Sequence, residues 1–295
     1  MDTRARVVLS VQRRENLSKR QQRFFDALQA KVESVGLCIL TKTGPSDTIA
    51  DRYDHVRNNQ GVIVPVFSQW QGQRLNRSQD RTWTLPSEFT HIVATMAVAA
   101  ERPLLVLQEK TVDERGAFKK GLMHPIVDVP ASLDPDWLDS PSFAYEFDKW
   151  LDQVRSHRHV FLGYSTQASE IGAQINNFLT QKVGLSVFDW HDFRPGDTVW
   201  DSIERAERLT QCGVFLFMAD DKLAGSGVVA PRDNVVYEAG YFAGAKGRTR
   251  SIIVREPNAK VPSDLGGILY LALENRASIS SIETRLREHV ERMFG

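Results

Sequence analysis

A chain of 295 residues exceeds one typical domain and fits two domains of about 150 residues each. Its 42% hydrophobic and 25% charged residues exclude a disordered or collagen-like chain. The 37 basic and 37 acidic residues cancel, which argues against a protein that coats nucleic acid, and the apolar runs fall far short of the ~20 residues of a membrane span. Cys38 and Cys212 stand far apart in apolar runs and make neither a disulfide framework nor a metal motif, as expected in a reducing cytoplasm.

The first predicted element is a strand at residues 6–11 (RVVLSV). Ser18 then offers an N-cap with Gln21 three residues on, the spacing of a capping box. Phe24, Phe25, Leu28 and Val32 give residues 19–35 a helical period, and Gly36 stops it. A strand at 37–40, a polar helix at 48–59 and the strand 61–67 (GVIVPVF) follow. Residues 68–81 read as a polar loop, then a helix at 88–100 and a strand at 103–107.

Three prolines and many acids mark residues 128–157, expected to be an acidic linker with one short helix around Phe143, Phe147, Trp150 and Leu151. After it the pattern restarts. Strands are predicted at 160–164, 185–190, 213–219 and 250–255, and helices at 169–183, 199–210 and 234–245. Strands alternating with helices, and continuous apolar strands, predict α/β units with parallel sheets covered on both faces. The expected architecture is two doubly wound domains in tandem, residues 1–127 and 158–295, as distant copies of each other.

Candidate chemistry gathers in residues 231–250. Asp233 is placed as N-cap of the helix, and Val235, Ala239, Phe242 and Ala243 share the face that packs on the sheet. Glu238 lies on the flank of that face, with Asn234 one turn before it. It reads either as a solvated helix glutamate or as a half-buried acid able to hold ribose hydroxyls and stabilise an oxocarbenium ion. The loop after Trp190 leaves the carboxyl end of a strand, where open α/β sheets place ligands. Trp190, Phe193 and Trp200 offer stacking surfaces there, or a core aromatic set. Tyr164 and Ser165 follow Gly163 in a turn that suits a phosphate. Asp220 and Asp221 suit a cation, a ribose or a plain strand end. The histidines show no metal spacing, and no metal is expected.

RDNVVYEAGYFAGAKGR (residues 232–248) and PSDLGGILYLAL (262–273), with the G-Y-S turn and the Asp-Asp strand end, resemble the bacterial TIR-like nucleotide-binding domain of anti-phage effectors. The resemblance spans about 158–272. It implies a flavodoxin-like or TIR-like fold and an NAD+ nucleosidase that breaks the nicotinamide–ribose bond, with NAD+ as substrate and no other cofactor. It implies Glu238 as the catalytic carboxylate and Tyr164, Ser165, Trp190, Phe193, Asp220, Arg232 and Asn234 as substrate contacts. It also implies activation through self-association, to which residues 192–198 contribute. The first half is similar to the nucleoside deoxyribosyltransferase-like group through RVVLSV, GVIVPVF and residues 88–109. Val93 stands where that group carries its nucleophilic glutamate, and Glu88 lies more than a turn away. A sensor for a nucleotide second messenger is therefore expected in residues 1–127, which hold 19 basic and 13 acidic residues. The alternatives are a non-enzymatic TIR-type assembly module and a transferase acting through the first half. The implied protein is cytoplasmic, with no membrane and no nucleic-acid polymer as partner.

Overall fold

The structure is a computed structural model describing residues 4–10, 14–40, 47–73, 81–121, 125–222, 225 and 227–294. The chain divides into two units, Arg4–Ser156 and His157–Gly295.

The first unit runs β1 (Arg6–Leu9), α1 (Lys19–Ser34), β2 (Cys38–Leu40), α2 (Ile49–Arg57), β3 (Gly61–Val66), β4 (Trp70–Gly72), β5 (Trp83–Leu85), α3 (Glu88–Ala99), β6 (Leu104–Glu109), β7 (Ile126–Val129) and α4 (Pro141–Ser156). The capping box forms: the Ser18 Oγ accepts from the Gln21 N–H and the Gln21 Oε1 from the Ser18 N–H. α1 then buries Phe24, Phe25, Leu28 and Val32, and Gly36 leaves it with φ +83°, a conformation that favours glycine. Val11, at the end of the first predicted strand, lies outside the described residues. Five strands pair in parallel in the order β2-β1-β3-β6-β7.

Two expectations are corrected in this unit. Residues 128–157 are not a linker. β7 pairs with β6, and α4 sinks Phe143, Phe147, Trp150, Leu151 and Val154 into the unit's core. The Trp150 Nε1 donates to the Pro103 carbonyl, and a Cβ on Gly61 would lie 2.5 Å from the Val154 Cγ2. The prolines start helical turns here, Pro135 in a 3₁₀ turn and Pro141 at the first residue of α4. The polar segment 68–81 is not all loop, because β4 pairs antiparallel with β5; residues 74–80 lie outside the described residues.

The second unit runs β8 (Val160–Gly163), α5 (Ser169–Asn177), β9 (Val187–Phe188), α6 (Val199–Leu209), β10 (Cys212–Phe217), β11 (Asp221–Lys222), β12 (Val229–Ala230), α7 (Asp233–Lys246), β13 (Ser251–Arg255), β14 (Leu269–Ala272) and α8 (Glu283–Phe294). A π-helical turn, Phe178–Val183, continues α5. The parallel sheet has the order β14-β13-β10-β8-β9. Numbered along the chain within each unit, the sheet strands of both run 2-1-3-4-5, the flavodoxin-like order. The two halves are thus copies in topology. The apolar strand β10 is wholly buried, with one cluster beneath α5 and α8 and another beneath α6 and α7. Among the described residues no helix is long and apolar enough to cross a membrane.

Candidate functional site

α7 lays Val235, Ala239 and Phe242 on the sheet, with Phe242 stacked 4.9 Å from Phe161. Its first turn stands at the carboxyl edge, because the helix runs back along parallel strands. The helix begins one residue earlier than expected. Arg232 occupies the N-cap position, and Asp233, the first helical residue, accepts from the Asn234 N–H. A carboxylate so close to the first turn can serve the orphan amides from inside the helix as well as from the cap.

Glu238 sits on the buried flank and points at the end of β8. A Cβ on Gly163 would stand 2.5 Å from the Glu238 Oε2 and 2.8 Å from the Phe215 Cδ1. The missing side chain of Gly163 is therefore the space that admits the acid. Glu238 has no hydrogen-bond or ion-pair partner among the described residues. Burial pushes its carboxyl group up to about 8, because leaving water penalises the charged form. A half-buried acid poised near neutral pH and free of donors keeps its capacity for an incoming ligand.

Tyr164 and Ser165 follow Gly163 at the same edge. The Tyr164 hydroxyl donates to the Asp189 Oδ2 at 3.1 Å, and its ring lies against Gly172. Desolvation and the Asp189 charge push that phenol up to about 12. Asp189 also accepts from the Asn176 amide and from the His191 N–H. The Ser165 hydroxyl donates to the Asp220 Oδ2 at 2.6 Å. Asp220, its side chain 1% exposed, pairs with Arg276, which also binds Glu256. Asp220 thus braces the strand end from inside. Glu256 and Arg276 escaped the sequence reading, since their side-chain partners lie 20 to 56 residues away; Asp189 escaped it as a partner of Tyr164 and Asn176, which lie 25 and 13 residues away.

The remaining candidates sit further out. Trp190 is exposed and stacks on His191, whereas Phe193 packs inward against Phe188. Arg232 pairs with Asp221 at 2.8 Å, and Asn234 is exposed. Beside them Trp200 meets Tyr237 and Tyr241.

In the first unit the equivalent edge differs. Val93 packs into the core, and Glu88 is exposed on the first turn of α3. Another acid, missed in the sequence, lies there. The Glu109 side chain, 0% exposed at the end of β6, accepts from the Ser68 N–H and Oγ at 2.9 Å each. It accepts from the Gln21 amide too, and it pairs with Arg20.

The second unit thus combines a 2-1-3-4-5 parallel sheet with a half-buried, donor-free acid on the helix before its fourth strand. Residues 159–275 match the family described as CAP12/Pycsar effector protein, TIR domain. The chain is 29% identical over 128 residues to the CD-NTase-associated protein 12 of Lachnospiraceae bacterium (strain RUG226), covering 42% of this chain and 40% of that protein. It is 30% identical over 159 residues to the Pycsar effector protein BcPycTIR of Burkholderia cepacia, 49% of this chain and 52% of the relative. With PaPycTIR of Pseudomonas aeruginosa it shares 32% over 117 residues, 37% of each chain. The matched stretch spans about half or less of the curated relatives' own length.

Proposed function

We propose that the second unit is an NAD+ nucleosidase, with Glu238 as its catalytic carboxylate, in a cytoplasmic effector of anti-phage defence. The observation that carries this reading is the acid held without donors against Gly163, at the sheet edge where ligands bind. In NAD+ the pyridinium is cationic, and its approach favours ionisation of Glu238. When the ribose–nicotinamide bond breaks, its electron pair leaves with nicotinamide and positive charge develops on the ribose. Glu238 stabilises that charge more strongly than water would, because the carboxylate is largely withdrawn from water and already oriented. Water then adds to the ribose carbon and loses a proton, giving ADP-ribose. Tyr164, Ser165 and Trp190 border the space that the substrate would fill; Asp220 acts by holding Ser165. Arg232 and Asn234 shape the rim, and Phe193 supports it from beneath through Phe188. The chain's own residues supply this chemistry, so no metal or added cofactor is required.

The names of the relatives and the match over residues 159–275 support an effector role. The first unit, with its intact strand order and a basic excess confined to residues 1–127, is the receptor for an anionic nucleotide messenger. Self-association into oligomers or filaments activates the enzyme. Val199, Trp200 and Tyr237, 61%, 53% and 38% exposed, form an apolar surface suited to that contact. The test is nicotinamide release from NAD+ by the full chain over a range of protein concentrations and with a panel of cyclic nucleotides. Glu238→Gln is expected to remove the activity; normal turnover by that variant would refute the assignment. The same exposed aromatics favour a second reading, a non-enzymatic assembly module. That reading predicts concentration-dependent assembly with no loss of NAD+ under any condition.

A further inference from the structure

A cavity of about 360 Å³ opens at the edge of the second unit's sheet opposite Glu238, and its lining comprises Arg248, Thr249, Arg250, Gly267, Leu269, His289, Arg292 and Met293. Three short-range features of the chain build it. Gly247, with φ +91°, ends α7 and lets the turn Arg248–Arg250 swing directly into β13. Gly267, with φ +104°, opens the approach to β14, and the Arg248 Nη1 lies 3.6 Å from where its Cβ would stand. α8 covers the third side with His289, Arg292 and Met293. Arg250 immediately precedes β13, whereas Glu238 meets the far end of β8. Because those strands are parallel, the cavity and the acid occupy opposite edges of one sheet.

The charge in this cavity is one-sided: three arginines line it and no carboxylate does. Arg250 is held by the Gln211 carbonyl. Arg248 and Arg292 are exposed and have no hydrogen-bond or ion-pair partner among the described residues. On α8, Glu291 is drawn to Arg287, and Glu288, one turn before Arg292, is exposed. His289 hydrogen-bonds the Thr249 carbonyl, and burial together with Arg292 and Arg285 pushes its imidazole down, toward the neutral form. Leu269 and Met293 add an apolar wall. Converging guanidinium groups recognise phosphate oxygens in a bidentate manner, an apolar wall accepts a flat ring, and the volume falls within the about 300–1,000 Å³ of small-molecule sites. We propose that this cavity binds a nucleoside phosphate, with Arg248 and Arg292 on the phosphate groups and the base against Leu269 and Met293.

The experiment measures binding of ADP, inorganic pyrophosphate and adenosine to the full chain by calorimetry, in the Glu238→Gln background so that no turnover intervenes. ADP is expected to bind, pyrophosphate to bind more weakly and to compete, and adenosine not to bind. Arg248→Ala and Arg292→Ala should each weaken ADP by about tenfold or more, the loss of one charged hydrogen-bonding partner. ADP held at the Glu238 edge or on the first unit would be indifferent to both substitutions. No ADP binding, or binding that both variants leave unchanged, overturns the proposal. Phenylglyoxal labelling of the unaltered chain, mapped by mass spectrometry, gives a readout independent of variant folding. ADP should protect Arg248 and Arg292, and equal labelling with and without ADP would also overturn it.

Discussion

Replacing Glu238 by Gln should change stability in a pH-dependent way. The folded chain holds a proton on Glu238 up to about 8, whereas the ordinary value for the group is 4.5. Between those values the folded state binds more protons than the unfolded one, so stability falls as pH rises. The contribution is fully present below about 4.5 and is lost as pH passes through about 8. At about 1.4 kcal/mol for each tenfold change, the ceiling is about 5 kcal/mol. The acid faces an open edge, and water on that side lowers the effect to about 2–3 kcal/mol. Gln fills nearly the same volume and never ionises. The variant should therefore match the unaltered chain at pH 5 and exceed it by about 2–3 kcal/mol at pH 9. Urea titrations read by hydrogen exchange at the buried amides of β8 and α7 report the second unit alone. A stability difference independent of pH, or one that shrinks as pH rises, would refute the reasoning.

The same acid sets the rate profile: kcat/KM for NAD+ should climb about tenfold per pH unit toward pH 8 and then level, whereas a flat profile between 6 and 8 would count against Glu238 as the ionising group. Gly163→Ala should cost about 1–3 kcal/mol by crowding Phe215, and it should cut kcat by displacing the Glu238 carboxylate; an active, stable variant would show that the space is dispensable. Arg276→Ala removes the cation between Asp220 and Glu256 and should cost about 1–3 kcal/mol in urea unfolding at pH 7. Arg276 holds Glu256 below its ordinary carboxylate value even though burial alone would raise it. The deficit should therefore be present above about pH 4.5 and shrink as pH falls below it.

Local signals in the sequence carried far. Ser18 and Gln21 form the capping box that their spacing predicts, and the i, i+4, i+7 set Val235, Ala239 and Phe242 lies on the sheet. That set also fixed the flank on which Glu238 stands. The elements that escaped are those whose identity depends on tertiary partners. β7 and β14 are short edge strands, recognisable only through β6 and β13, and α8 carries few apolar residues beyond Leu286, Val290 and Phe294. α4 was visible as an amphipathic helix, but nothing local showed that its apolar face closes over Gly61 and Pro103. The site shows the same division. Glu238 was legible from its own helix, whereas the room for it comes from Gly163, 75 residues earlier. The Asp220–Arg276–Glu256 cluster likewise joins three separate loops.

The two copies of the sheet place an acid at the same edge and treat it in opposite ways. Glu109 ends a strand, and its oxygens are already engaged by Ser68, Gln21 and Arg20. Glu238 comes from a helix, and its Oε2 faces the bare side of Gly163 with no donor among the described residues. An oxygen already receiving two or three donors has little left to offer a reacting carbon. The first acid therefore works as a rivet between strand end and helix start, and the second keeps its accepting capacity unused. In two copies of one topology, whether an acid is structural or left available to a ligand can thus rest on how many donors the neighbouring loops supply.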